Sequence, residues 1–141
     1  MPPHSTIRPD AAADLVSVRP DTMVLTKQRL PYFVGISSST VNASAISMHL
    51  VVIPPGAAAE PHFHRGFETA LYVLDGHVVT RYGPGLAKSI VSKAGDFLFI
   101  PAEVPHQPAN LSATEPARAI VARNDANEQE SAVPYDPAEA R

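Results

Sequence analysis

The sequence predicts an all-β fold, a sandwich or barrel of short strands, on three observations. Fifteen prolines are scattered through 141 residues, about twice the usual share of about 5 %. Each removes a backbone donor and breaks a helix interior, so a bundle of long helices is excluded. Apolar stretches are short, many alternate with a period of two, and they end at Gly, Pro or Asp-Gly, which is the pattern of strands separated by turns. The length suits one domain, and a chain of this size buries roughly two-thirds of its unfolded surface, enough for one core without staples.

The elements follow in order. Residues 1–14, rich in Pro, Ala and Asp, are expected to be a flexible arm. Short apolar stretches begin between Leu15 and Val24, cut by Pro20. Tyr32–Ile36 is a candidate strand, followed by a loop at Ser37–Thr40. From Ala45 to Ile53 the chain alternates: Ile46, Met48, Leu50 and Val52 share one face, with His49 on the other. Pro54-Pro55-Gly56 ends that strand. Ala70–Leu74 and His77–Tyr82 flank Asp75-Gly76, a pair that signals a β-hairpin. Gly83-Pro84-Gly85 is a turn, Ser89–Ser92 a short strand, and Lys93–Asp96 another turn. Phe97–Ile100 and Ala117–Arg123 complete the set. The domain is expected to span 15–123, with a polar tail over 124–141.

Charge and composition exclude several classes. Eleven Lys and Arg face 14 Asp and Glu, a net of −3, and no basic block marks a nucleic-acid surface. No apolar run approaches the 18 or so residues needed to span a bilayer, and the first residues lack the apolar stretch of a secretory signal. A cytoplasmic protein is expected. The absence of cysteine removes disulfides, thiolate metal sites and cysteine nucleophiles together. G-x-S-x-G, P-loop and dinucleotide fingerprints are missing as well.

Six histidines remain, and two form His62-Phe63-His64. On a strand, residues i and i+2 face the same way, so both imidazoles project together and can chelate one divalent metal. Alone, an H-x-H is weak evidence. Its surroundings add to it. The stretch from Gly56 through His62, His64 and Glu68 to Gly76 resembles the first motif of the cupin superfamily: glycine, five residues, H-x-H, three or four residues, glutamate, six residues, glycine. The stretch Gly95–Asn110, with Pro101 and His106, resembles the second: glycine, five residues, P-x-G, two residues, histidine, three residues, asparagine. Two ordered motifs at matching spacings over residues 56–110 are far more specific than either one.

The resemblance implies a small antiparallel jelly-roll barrel, a double-stranded β-helix, with a metal site inside. It carries over His62, His64 and His106 as ligands, with Glu68 as the fourth. Gly56, Gly76 and Gly95 would serve turns, and Pro101 and Asn110 would shape the second hairpin. The sequence departs from the pattern twice. The glycine after P-x is Glu103 here, so that turn is expected to differ locally. Seven residues, not six, separate Glu68 from Gly76. Strict alternation therefore turns Thr69 inward along with Leu71 and Val73, and Glu68 reaches the site only through a bulge near Gly66. Glu68 is nonetheless the expected ligand, since a carboxylate ligates divalent metals better than a hydroxyl. The other reading is a three-histidine site with Glu68 nearby.

Other candidates have plainer explanations. His4 and His77 are expected to be solvated and His49 to be of ordinary intermediate burial. Tyr72 and Phe67 could line the cavity, although aromatics in a small β-barrel are more often plain core. Arg81 and Arg123 could grip a substrate carboxylate, although a strand arginine ordinarily faces water. The cofactor expected is one divalent transition metal, with Fe, Mn, Ni and Zn all compatible with nitrogen and oxygen donors. The expected function is a metal-dependent enzyme acting on a small polar molecule, by dioxygenase-type or related lyase or isomerase chemistry. The alternative is a barrel that binds or senses a small molecule or metal. The expected partners are a small-molecule substrate and a second copy of the chain, the homodimer being implied by the resemblance, with no nucleic acid and no membrane.

Overall fold

The computed structural model describes residues 14–20, 23–25, 29–127 and 131–139. Eleven strands run through them: β1 (Met23–Leu25), β2 (Pro31–Ile36), β3 (Ser47–Ile53), β4 (His62–His64), β5 (Thr69–Asp75), β6 (His77–Tyr82), β7 (Lys88–Lys93), β8 (Phe97–Ile100), β9 (His106–Asn110), β10 (Ala117–Arg123) and β11 (Ala132–Pro134). They form two antiparallel sheets, one ordered β1-β2-β3-β10-β5-β8 and the other β11-β4-β9-β6-β7. This is a jelly-roll barrel. Among the described residues the one α-helical turn, α1 (Ser38–Val41), is capped by Ser37, whose side chain accepts the Thr40 N–H, as serine at that position commonly does. Among the described residues no helix is long and apolar enough to cross a membrane.

Seven strands lie where alternation places them, but their connections differ from the expectation. Asp75-Gly76 is not a hairpin. β5 pairs with β10 and β8, whereas β6 pairs with β9 and β7, so Gly76 is where the chain steps from one sheet to the other. Its φ is +88°, and a Cβ there would stand 2.7 Å from the Ala117 Cβ, so only glycine fits. β6 instead forms a hairpin with β7, closed through Gly83 and Pro84.

The apolar core joins the two sheets through Tyr32, Val51, Ile53, Val78, Ala117, Ala119 and Val121. On β3 the inward face is Ser47, His49, Val51 and Ile53. Met48 and Leu50 belong to the outer face, and Met48 is 46 % exposed. Alternation identifies the strand but not its buried side, because both faces of this strand carry apolar residues.

The expected arm lies outside the described residues except for Asp14. Within the 124–141 tail, Ala132–Pro134 is a strand paired with β4, Ala132 opposite His64 and Pro134 opposite His62. Three residues carry too little pattern to be read as a strand. Leu15 and Val16 are exposed and Met23–Leu25 pairs with β2 of the same sheet.

Candidate metal centre

β4 and β9 lie side by side with His62 directly opposite His106, and His64 follows two residues after His62 on the same face. All three are buried, at 3–4 % exposure. The His62 and His106 ring centroids are 4.4 Å apart, those of His62 and His64 5.0 Å, and those of His64 and His106 5.5 Å. One nitrogen of each ring lies within 4.8 Å of the others, near the spacing that a single ion with bonds of about 2.0–2.1 Å spans.

Each ring is held by its other nitrogen. His62 Nδ1 lies 2.8 Å from the Glu60 carbonyl, and His106 Nδ1 2.9 Å from that of Val104. A carbonyl only accepts, so both Nδ1 atoms carry the proton and both Nε2 atoms keep a lone pair. His64 Nδ1 contacts the Ser131 hydroxyl at 3.1 Å, and its Nε2 is buried with no hydrogen-bond partner. Oxygen atoms behind the imidazoles fixing tautomer and ring orientation are what metal-ligating histidines use.

Burial keeps these rings neutral. It pushes His62 down to about 3 from 6.5, with the neighbouring His106 and Arg123 adding to the effect. Burial, then Arg123, takes His64 down to about 2, and burial takes His106 to about 4. Neutral imidazoles need no deprotonation before they ligate a metal. The donor set therefore fits a divalent transition metal, and the three histidines could hold one.

Glu68, the expected fourth ligand, stands outside this group of three. It is exposed, its backbone N–H donates to Asn124 Oδ1 at 2.8 Å, and it lines a surface cleft rather than the barrel interior. No bulge turns it in. Residues 65–68 carry the chain from one sheet to the other, and β5 begins at Thr69, which pairs with Ile100 and Arg123 and is 3 % exposed. The inward place at the start of β5 is taken by Thr69, as strict alternation has it.

Glu103 also departs from expectation. It keeps the left-handed backbone of the glycine it replaces, with φ +70°, a strain of about 1–2 kcal/mol. Its N–H donates to the His64 carbonyl at 3.0 Å and its carboxylate accepts the Gly66 N–H, so it clips the β8–β9 loop to the β4–β5 loop. Asn110 is a second clasp: buried, it donates to the Ile53 and Glu115 carbonyls and accepts from the Ser112 N–H.

The interior cavity has a volume of about 50 Å³ and is lined by His62, His106, Thr69, Thr80, Ser92 and Arg123 among apolar side chains. His106 and Thr80 also line a neighbouring apolar pocket of about 220 Å³ bounded by Ile90, Phe99 and Val104. Of the remaining candidates, His77 and Arg81 are exposed and Tyr72 packs on Phe97 at 4.7 Å on the outer face. His49 is 2 % exposed, more buried than expected, and packs on Tyr32. His4 lies outside the described residues. Ser131 had no signal in the sequence; Arg123 was legible only as one of two strand arginines.

The model of the cupin domain matches residues 49–123. The chain belongs to the cupin family. Among curated proteins no match is found. Among solved structures this cupin resembles an oxalate decarboxylase of Lactobacillus farciminis, with a TM-score of 0.66 and 23 % identity over 80 % of this chain and 33 % of that one. It resembles the Cnp3 cupin domain of Schizosaccharomyces pombe with a TM-score of 0.59 and 15 % identity, over 72 % of this chain and 69 % of the other. TT1209 from Thermus thermophilus matches at 28 % identity and a TM-score of 0.55, over 72 % of this chain and 89 % of that one. The chain spans about a third of the length of the oxalate decarboxylase.

Proposed function

We propose that this cupin is a metal-dependent enzyme for a small polar substrate, with His62, His64 and His106 as the protein's ligands and Glu68 outside the set. The observation that carries this reading is the convergence of three buried imidazoles whose Nδ1 atoms are already engaged by oxygen, leaving Nε2 of His64 without a partner. When bound, a divalent metal supplies a Lewis-acid centre with positions open to oxygen donors, the chemistry of dioxygenase-type, lyase and isomerase steps. The chain's own contribution is to orient the three rings, exclude bulk water and limit the substrate to what the cavity admits.

Metal analysis of protein purified without an affinity tag tests the reading. About one equivalent of a divalent metal is expected, lost in His62→Ala and His106→Ala and retained in Glu68→Gln; a wild type that takes up no metal overturns it. Oxygen uptake by the Fe(II)-loaded protein with small chelating substrates then separates dioxygenase-type chemistry from the rest. A binding or sensing module is the second reading. It is favoured by one observation: among the described residues no carboxylate lines the cavity to move protons.

We further propose a homodimer built on the outer face of the six-stranded sheet. There Leu50, Ile120, Tyr72 and Phe97 form one cross-strand row, beside Met48 and Phe99, and Phe97 is 81 % exposed. A contiguous apolar surface of this kind marks an interaction site. Sedimentation giving a single species near 15.0 kDa contradicts the dimer.

A further inference from the structure

Arg123 is 5 % exposed and lines the same cavity as His62 and His106. A guanidinium has five donors. Here Nε donates to the Thr69 hydroxyl at 2.9 Å, and among the described residues Arg123 makes no ion pair. On its other side the cross-strand neighbour is Ser47, 1 % exposed, whose hydroxyl has no hydrogen-bond partner. Ser47, Arg123 and Thr69 thus form one inward polar row across three adjacent strands of the six-stranded sheet. Among the described residues the guanidinium has no counter-ion, and the buried Ser47 hydroxyl has no partner, which is itself destabilising. One anionic ligand serves both.

The charge of the cavity points the same way. Arg123 brings a positive charge, and among the described residues no Asp or Glu lines the cavity. Glu68 sits on the surface cleft with Arg123 and Thr69 but makes no ion pair with the guanidinium. That cleft, of about 290 Å³ and also lined by Ser47 and Asn124, gives solvent a route to the polar row.

We propose that Ser47, Arg123 and Thr69 form a carboxylate-binding site, and that the substrate is a small carboxylic acid with a second oxygen donor directed at the three histidines. A carboxylate matches the planar fork of a guanidinium, with two parallel hydrogen bonds. The interior cavity of about 50 Å³ has room for only a few heavy atoms, since one water already needs about 10–15 Å³ by the same measure. The carboxylate site stands on the polar row alone; the orientation of the second donor rests on the metal reading above.

Calorimetric titration with acetate and with glycolate tests both parts on metal-free and Mn(II)-loaded protein, with the Mn(II) EPR spectrum as a second readout. Metal-free wild type is expected to bind acetate, and Arg123→Gln to weaken that binding about tenfold or more, with metal content retained. On the Mn(II) form glycolate is expected to bind more tightly than acetate and to alter the EPR spectrum, an advantage lost in His106→Ala. If Mn(II) does not load, the metal reading fails while the acetate titration still judges Arg123. Unchanged acetate affinity in Arg123→Gln, no binding of acetate by wild type, or tighter binding of inorganic phosphate overturns the carboxylate site. Should Arg123→Gln not fold, Ser47→Ala and Thr69→Val replace it, each expected to weaken acetate binding several-fold; no change in either overturns the proposal.

Discussion

The two walls of the cavity are built by different means. On the five-stranded wall, His62 and His106 each direct Nδ1 at the carbonyl two residues earlier, Glu60 and Val104. The device is local, since each histidine opens its strand and finds its partner just before it. On the six-stranded wall, the Arg123–Thr69 hydrogen bond joins residues 54 apart in sequence. Only the register of β10 against β5 brings them together. The histidine wall can therefore be read as a motif, and the arginine wall cannot. His64 lies between the two cases: its place comes from the H-x-H spacing, but its support, Ser131, comes from the far end of the chain.

The largest effect expected from this contrast is on stability against pH. The three histidines have folded-state values pushed from 6.5 to about 3, 2 and 4, so the unfolded chain takes up protons that the folded one refuses. Stability is full above pH 6.5 and declines as pH falls toward those values. Each histidine removes about 1.4 kcal/mol per pH unit below 6.5, so metal-free protein is expected to lose about 4 kcal/mol between pH 7.5 and 5.5. Denaturant melts at the two pH values measure it, and a His62→Ala, His64→Ala, His106→Ala triple variant should lose most of the dependence. An equal slope in that variant would place the pH sensitivity elsewhere.

Next in size is the loss of a ligand. His106→Ala should weaken metal binding more than about 100-fold, since loss of a mere supporting partner already costs 10–100-fold. Ser131→Ala, which removes the group behind His64, is expected near the lower end of that supporting range, about tenfold, by competition with a chelator of known affinity. An unaltered affinity would mean that β11 merely covers β4. The smallest effect belongs to the loop clip. Glu103→Gly relieves about 1–2 kcal/mol of left-handed strain but removes the carboxylate that accepts the Gly66 N–H, a hydrogen bond of about 1–2 kcal/mol. Its net effect on stability should stay within about 1 kcal/mol by thermal melting, while Glu103→Ala, which keeps the strain and loses the bond, should be the less stable of the two.

The sequence by itself determined the all-β class, most of the strands and the three histidines. Alternation and turn residues act over a few positions, and His62, His64 and His106 sit in motifs whose spacing is local. It also held the clue to Thr69, since the extra residue before Gly76 shifts the parity of β5. What alternation could not weigh was whether a bulge would restore Glu68. Tertiary structure decided that residues 65–68 are a crossing between sheets, that Gly76 is a second crossing rather than a hairpin turn, and that the apolar face of β3 with Met48 and Leu50 points outward. It alone paired Ala132–Pro134 with β4 and turned Arg123 inward between Ser47 and Thr69. The physical reason is common to all of these. A strand's period tells which residues share a face, but which face is buried, and what lies across from it, depends on pairing between segments far apart in the chain.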